Sequence, residues 1–272
     1  MATFDAPMTA WTPSDVLHFA RRAGFGITPE VAQDLAARPP GAVIQGWLEG
    51  TLPEIQSGQA AYQAAISKAD VVSTAASGNL PADPAPHPFR LEPWRSGWSQ
   101  IQADFSWRMQ HNPWSFQEKL ALFWHQLFAT GAEKVNNQAL MAKHVHLFRS
   151  DRARGTFGAL LLAVSQDPAM MIWLDTVQNR VRPGSSDVAN ENYAREILEL
   201  HSLGVDNGYS QADITSLARA FSGWTFTPTD LQTDPNNPNN TRPGDGTFLV
   251  RTSQHATGTV SFLGQSFDLG AP

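Results

Sequence analysis

The stretch "NENYAREILELHSLG", residues 190–204, decides how the chain reads. Three glutamates, an arginine and a histidine sit inside what the pattern presents as a single helix. At about 100° per residue, Glu191, Arg195 and Glu199 fall on one stripe, each four residues from the next. That is a salt-bridge ladder, and exposed pairs of this kind contribute only about 0.3–0.5 kcal/mol each. Tyr193, Ala194, Ile197, Leu198 and Leu200 spread over nearly half the circumference. His201 lies inside that apolar arc and Glu196 at its edge. Such a helix is buried on most sides, and a partly buried carboxylate must be paired, metal-bound or protonated. Two readings follow. In the first, Glu196 pairs with an arginine from another helix and His201 satisfies its ring nitrogens on backbone carbonyls. In the second, the stretch is a site.

Working outward, helical punctuation recurs. "TPSD" at 12–15 gives a Thr N-cap, a Pro at the first helical position and an acid at the third. Val16, Leu17 and Ala20 begin an apolar stripe that Gly24 and Gly26 end. "TPE" at 28–30 opens a second helix, which stops before Pro39-Pro40, and a third spans about 41–49. "AAYQAAISKA" is weakly amphipathic and helical. "SFQEKLALFWHQLFATG" has Ser115 and Glu118 spaced as a capping box and Gly131 as a stop. "NQALMAKHVHLFRSDRAR", "TFGALLLAVSQ" and "AMMIWLDTVQNR" are further helices. "SQADITSLARAFSGW" opens on Ser210 and Asp213, a similar cap. Nothing before Phe248 reads as a strand. "TFLVRTSQH" and "TVSFLGQSF" are expected to form a short hairpin.

The expected fold is mainly α, a multi-helix globular domain with a short β-hairpin near the C-terminus. Residues 1–72 are N-terminal helices and 96–226 a helical core. Between them, 73–95 is a Pro/Ala/Ser-rich linker or long loop. Residues 227–272 are a long polar loop and the hairpin. The ending "FDLGAP" carries no closing element and reads as a truncation.

Composition narrows the function. The 272 residues can bury a substantial core. A net charge of −6 and a pI near 5.7 argue against a general nucleic-acid binder. Without cysteine there is no disulfide, thiolate zinc site or cysteine nucleophile. The start shows no basic region followed by an apolar run, hence no signal peptide, and no window is apolar for long enough to span a membrane. H-E-x-x-H, G-x-S-x-G, a phosphate loop and a dinucleotide fingerprint are all absent from the sequence. So is Glu-x-x-His, the di-iron bundle signature.

The remaining candidates are dispersed. Glu118 and His125 share a helix face, but their seven-residue spacing rises about 10.5 Å, too far for one ion. His125, beside Trp124, is the better site candidate. His144 and His146 lie about 200° apart on a helix, which opposes joint ligation. Asp167 precedes Pro168 and suits an N-cap, whereas Asp175 follows an apolar run and could face a cleft. Gly24 and Gly26 allow a reversal after Arg21-Arg22, from which an arginine could reach Glu196.

"LHFARRAGFG", "EKLALFWHQLFATGAEKV", "QDPAMMIWLD", "NENYAREILELHSLGV" and "YSQADITSLARAFSGWTF" occur in that order. With them the chain, from about Val16 to Gly264, resembles the bacterial family called domain of unknown function 1800. The resemblance marks Trp124-His125 and 190–199 as family motifs and assigns them no activity. It implies longer chains, often bearing export signals, a periplasmic or envelope setting and a sulfatase-like protein encoded nearby as partner. Two function classes stand. One is an enzyme with Glu196 and His125 as catalytic groups, joined by Glu199 or Asp175. There His125, Glu196 and Glu199 hold a divalent metal for hydrolysis or oxygen chemistry, or Glu196 works alone as a general acid or base. The other is a non-catalytic envelope or assembly protein, in which Arg21, Arg22, Glu118, Glu191, Arg195 and His201 form structural polar networks.

Overall fold

A computed structural model describes residues 10–74, 98–182, 184–227, 232–234, 237–242 and 247–270. The expected linker, beyond Thr74, falls almost wholly outside them, as do parts of the polar loop. The chain divides into two compact units. The first unit takes in the chain to Leu91 and Ser99–Phe123. The second holds Glu92–Trp98 and everything from Trp124 onward.

The first unit is helical among its described residues: α1 (Pro13–Arg22), α2 (Pro29–Ala36), α3 (Pro40–Glu49), α4 (Pro53–Thr74), α5 (Trp98–His111) and the start of α6 (Ser115–Leu127). Local chemistry sets the helix starts. Thr12 and Asp15 form the reciprocal capping box at α1, and Thr28 accepts from the Val31 N–H at α2. Val16, Ala20, Ala32, Leu35, Val43 and Trp47 then bury one face of each of the first three helices in a common core. Trp114 closes its edge, donating from Nε1 to the Trp47 carbonyl at 2.8 Å.

The second unit continues with α7 (Ala132–Val135), α8 (Gln138–Leu147), α9 (Phe157–Ser165), α10 (Pro168–Trp173), α11 (Asn192–Glu199) and α12 (Gln211–Ala220). Phe128, Leu140, Phe148, Leu160, Met170, Met171 and Ile214 are its largest fully buried apolar side chains. Helix α12 begins on the Ser210–Asp213 capping box. Helix α11 is shorter than the pattern suggests. It ends at Glu199, and Leu203 and Gly204 both donate back to the Leu198 carbonyl. His201 therefore sits in the closing turn.

The strands depart from expectation in two ways. Three precede Phe248: β1 (Trp224–Thr227), β2 (Gln232–Asp234) and β3 (Asn237–Arg242). β1 is too short to show a period-2 pattern, and the residues of β2 and β3 are polar, so neither carries the usual signal. Secondly, the two segments expected to pair with each other do not. β4 (Thr247–Val250) runs antiparallel to β1, with Phe226 opposite Phe248. β5 (Thr259–Phe262) folds onto β6 (Gln265–Asp268) through Leu263-Gly264. Both turn residues have positive φ, 48° and 75°, as the tightest hairpin loops require.

One side chain ties the helices to the strands. Asn179 Nδ2 donates to the Ala218 carbonyl at 2.7 Å. Its Oδ1 accepts from the Asn190 N–H at 3.0 Å, and its own carbonyl accepts from the Gly223 N–H at 2.8 Å.

Candidate functional site

The densest chemistry of the second unit lies where the end of α6, helix α8 and the cap of α10 meet. His144, on the inward face of α8, is fully buried. Its Nδ1 donates to Asp167 Oδ2 at 2.9 Å. Its Nε2 lies 2.9 Å from Thr130 Oγ1 and 3.3 Å from the Phe128 carbonyl. The Thr130 hydroxyl donates to that same carbonyl. Asp167 Oδ2 also accepts from the Met170 N–H, which makes it the N-cap of α10. An acid, an imidazole and a hydroxyl thus stand in line, closed off by the rings of Phe128 and Phe148.

His125 joins this cluster at its edge, its ring centroid 6.1 Å from that of His144 and 6.2 Å from that of Phe148. Burial, with the charges of His144 and Arg149 adding to it, pushes its pKa down to about 4. His201 packs edge-on against Phe128 at 5.1 Å. Its Nδ1 is buried with no hydrogen-bond partner among the described residues, and burial pushes its pKa down to about 4. Backbone carbonyls therefore do not satisfy both ring nitrogens of His201, as the structural reading of the sequence expected.

On α11, Arg195 reaches Glu191 at 3.2 Å and Glu199 at 3.4 Å, the ladder that the spacing dictates. Glu191 is also anchored to α12 by Thr215 Oγ1 and Gln211 Nε2, both at 2.8 Å. These hydrogen bonds, chiefly that from Thr215, hold its pKa below the usual range. Glu196 is half-buried, without a side-chain hydrogen bond or ion pair among the described residues. Burial, reinforced by the charge of Glu199, pushes its pKa up. Asp175 is held by Lys134 Nζ at 2.8 Å and by Gln178.

The first unit has its own buried polar group. Glu118 is fully buried, and its Oε1 accepts from Asn112 Nδ2 at 2.9 Å and from the Tyr62 hydroxyl at 3.4 Å. One turn away on α5, Arg108 Nε lies 2.9 Å from both oxygens of Asp104, each side chain almost wholly buried. Ser115 is the first residue of α6 rather than its cap. Arg21 and Arg22 are exposed at the end of α1.

The proposed ligand set of His125, Glu196 and Glu199 is not gathered. Among the described residues no three His, Asp or Glu side chains converge as a metal site. His125 belongs to the His144 cluster and Glu199 to the α11 ladder, and Glu196 stands apart from both on α11. Sequence reasoning missed the alignment of Asp167, His144 and Thr130. Its trace was a short group of polar residues inside each of two otherwise apolar runs, "LMAKHVHLF" and "AVSQDPAMM".

Fold and site together define a mainly α-helical protein with short antiparallel strand pairs and polar groups locked inside its helices. A family model described as "Protein of unknown function (DUF1800)" matches residues 18–271, and the chain belongs to that family. Neither the curated proteins nor the solved structures contain a match. Among the described residues no helix is long and apolar enough to cross a membrane.

Proposed function

We propose that the chain is a non-catalytic assembly component whose family motifs are buried polar staples. The observation that carries this is His144, sealed from solvent with ring contacts to Asp167, Thr130 and the Phe128 carbonyl. A buried network of this kind fixes one helix arrangement. Glu118 with Asn112 and Tyr62 repeats the device in the first unit. On this reading the partner is a sulfatase-like protein encoded nearby and the setting is the cell envelope; both rest on the family resemblance.

Glu196 favours a second reading. An unpaired, half-buried carboxylate with a raised pKa is suited to general acid or base work, so a carboxylate-dependent hydrolase or an enzyme of oxygen chemistry is the alternative.

The two separate in one comparison. Wild type, His144→Ala, Glu196→Gln and His125→Ala are assayed by urea unfolding and against hydrolase and oxidase substrate panels, with elemental analysis of the untagged wild type. The staple reading expects a large stability loss in His144→Ala and no turnover in any sample. Turnover that disappears in Glu196→Gln or His125→Ala at unchanged stability would establish the enzyme instead.

A further inference from the structure

The sequence holds a single Asn-Gly pair, Asn207-Gly208, and the fold sets it in the turn that leaves α11. Residues 205–208 are all exposed. Just before them, Leu203 and Gly204 have turned back onto the Leu198 carbonyl. The turn bends sharply, with φ of 96° at Gly204, 56° at Asp206 and 82° at Gly208. Two side chains close it. Asn207 Nδ2 donates to the Leu203 carbonyl at 2.6 Å, and the Tyr209 hydroxyl accepts from the Asp206 N–H at 3.0 Å.

The surroundings leave this asparagine chemically open. The Gly208 N–H has no hydrogen bond among the described residues, so no acceptor ties up its nitrogen. Glycine carries no side chain to block that nitrogen, and no atom lies within 4 Å of the place where a Cβ would stand. The Asn207 side chain is at the surface, within reach of water and hydroxide. The two reacting groups belong to adjacent residues, so their approach is intramolecular and closes a five-membered ring.

We infer that Asn207 is a site of spontaneous deamidation, through which the turn that ends α11 acquires a negative charge and, in part, an isomerised backbone. The Gly208 nitrogen gives up its proton and bonds to Asn207 Cγ. The Cγ–Nδ2 bond breaks, and the amide nitrogen leaves as ammonia carrying that proton. The cyclic imide then takes up one water. Opening on one side gives an ordinary aspartate at 207. Opening on the other gives isoaspartate, whose main chain runs through the former side chain and is longer by one carbon. The net change is loss of ammonia and gain of water, with no oxidation or reduction. Either product puts a carboxylate where the Nδ2 donor stood, so the Leu203 carbonyl loses its partner. The isoaspartate also alters the link spanned by the bond between Asp206 and Tyr209.

The test incubates the full chain at mildly alkaline pH, folded and in urea. Cleavage after Arg195 and Arg219 releases 196–219, whose only asparagine is Asn207. That peptide is followed by mass and by labelling with an isoaspartyl methyltransferase. The folded chain is expected to convert at a rate within a few-fold of the unfolded one, with ammonia released in equal amount. Gly208→Ala slows the conversion about tenfold or more. Asn207→Asp, which carries one product from the start, unfolds at a temperature lower by roughly 1–4 °C. Conversion in urea alone would show that the bond to Leu203 protects Asn207, and would overturn the site. So would no conversion in either state, or conversion of Gly208→Ala at the wild-type rate. An unchanged melting temperature in Asn207→Asp would overturn the structural consequence.

Discussion

His144 Nδ1 and Asp167 Oδ2 stand 2.9 Å apart, joining the middle of α8 to the first turn of α10 across 23 residues of sequence. The same oxygen caps α10 through the Met170 N–H at 3.1 Å. Loss of a cap alone costs about 1 kcal/mol. Removing one partner of a buried charged or polar pair costs about 3–5 kcal/mol. Asp167→Ala does both, so a drop in unfolding free energy of at least about 3 kcal/mol is expected. A loss of 1 kcal/mol or so in urea titration would mean that only the cap matters.

The depressed histidines predict a particular acid sensitivity. His125 and His201 are pushed to about 4 in the folded protein, against an ordinary value of 6.5. Between these values the unfolded chain takes up protons that the folded chain refuses, so stability rises with pH. Their contribution is complete above about pH 6.5, is lost as pH falls, and is gone below about pH 4. Each ring accounts for roughly 1–3 kcal/mol of the loss. His201→Phe, which keeps the packing on Phe128, should flatten the curve of urea midpoint against pH in this window. A slope equal to wild type would show that His201 takes up its proton as readily in the fold as in the unfolded chain.

Glu196 has the opposite sign. Its pKa is raised in the fold, so its charge opposes folding above the unfolded carboxylate range, and the penalty fades as pH falls. Glu196→Gln should therefore raise the melting temperature at pH 7, by an amount corresponding to a few tenths of a kcal/mol up to about 1 kcal/mol. The gain should vanish near pH 4. A fall in melting temperature at pH 7 would reveal a stabilising partner for the carboxylate.

Gly223 and Gly158 form a matched pair. At Gly223, φ is +73° and an added Cβ would lie 2.6 Å from the Arg251 carbonyl oxygen. Gly158, in the first turn of α9, has nothing within 4 Å of the same position. Gly223→Ala is expected to cost about 1–3 kcal/mol. Gly158→Ala should be neutral or stabilising by up to about 1 kcal/mol. Similar midpoint shifts for the two would show that the backbone around Gly223 yields.

Where a helix starts was legible because the signal is local. Thr12–Asp15, Ser210–Asp213 and Asp167 each cap through bonds made within three residues, and sequence spacing carries that directly. The end of α11 was less so: Leu198, His201 and Leu203 keep helical spacing while the backbone has already turned back on itself. β1 was invisible because its partner, β4, lies beyond a polar segment, and pairing across such a gap leaves no periodic mark. The candidate site was legible in residue type and not in assembly. Arg195 bridges Glu191 and Glu199 as spacing alone requires, whereas the meeting of His144 with Asp167 depends on how α8 and α10 pack, which neither stretch encodes by itself.

Asn179 has a chemical consequence for the age of a protein sample. Its amide nitrogen donates to Ala218 while its amide oxygen accepts from Asn190. Hydrolysis of that amide exchanges one NH₂ for an oxygen and yields aspartate. An anionic oxygen would then face the Ala218 carbonyl at 2.7 Å, acceptor against acceptor in a buried setting. A change of less than one mass unit at this one residue would turn the clasp between helix and strand into a repulsion and loosen 179–223.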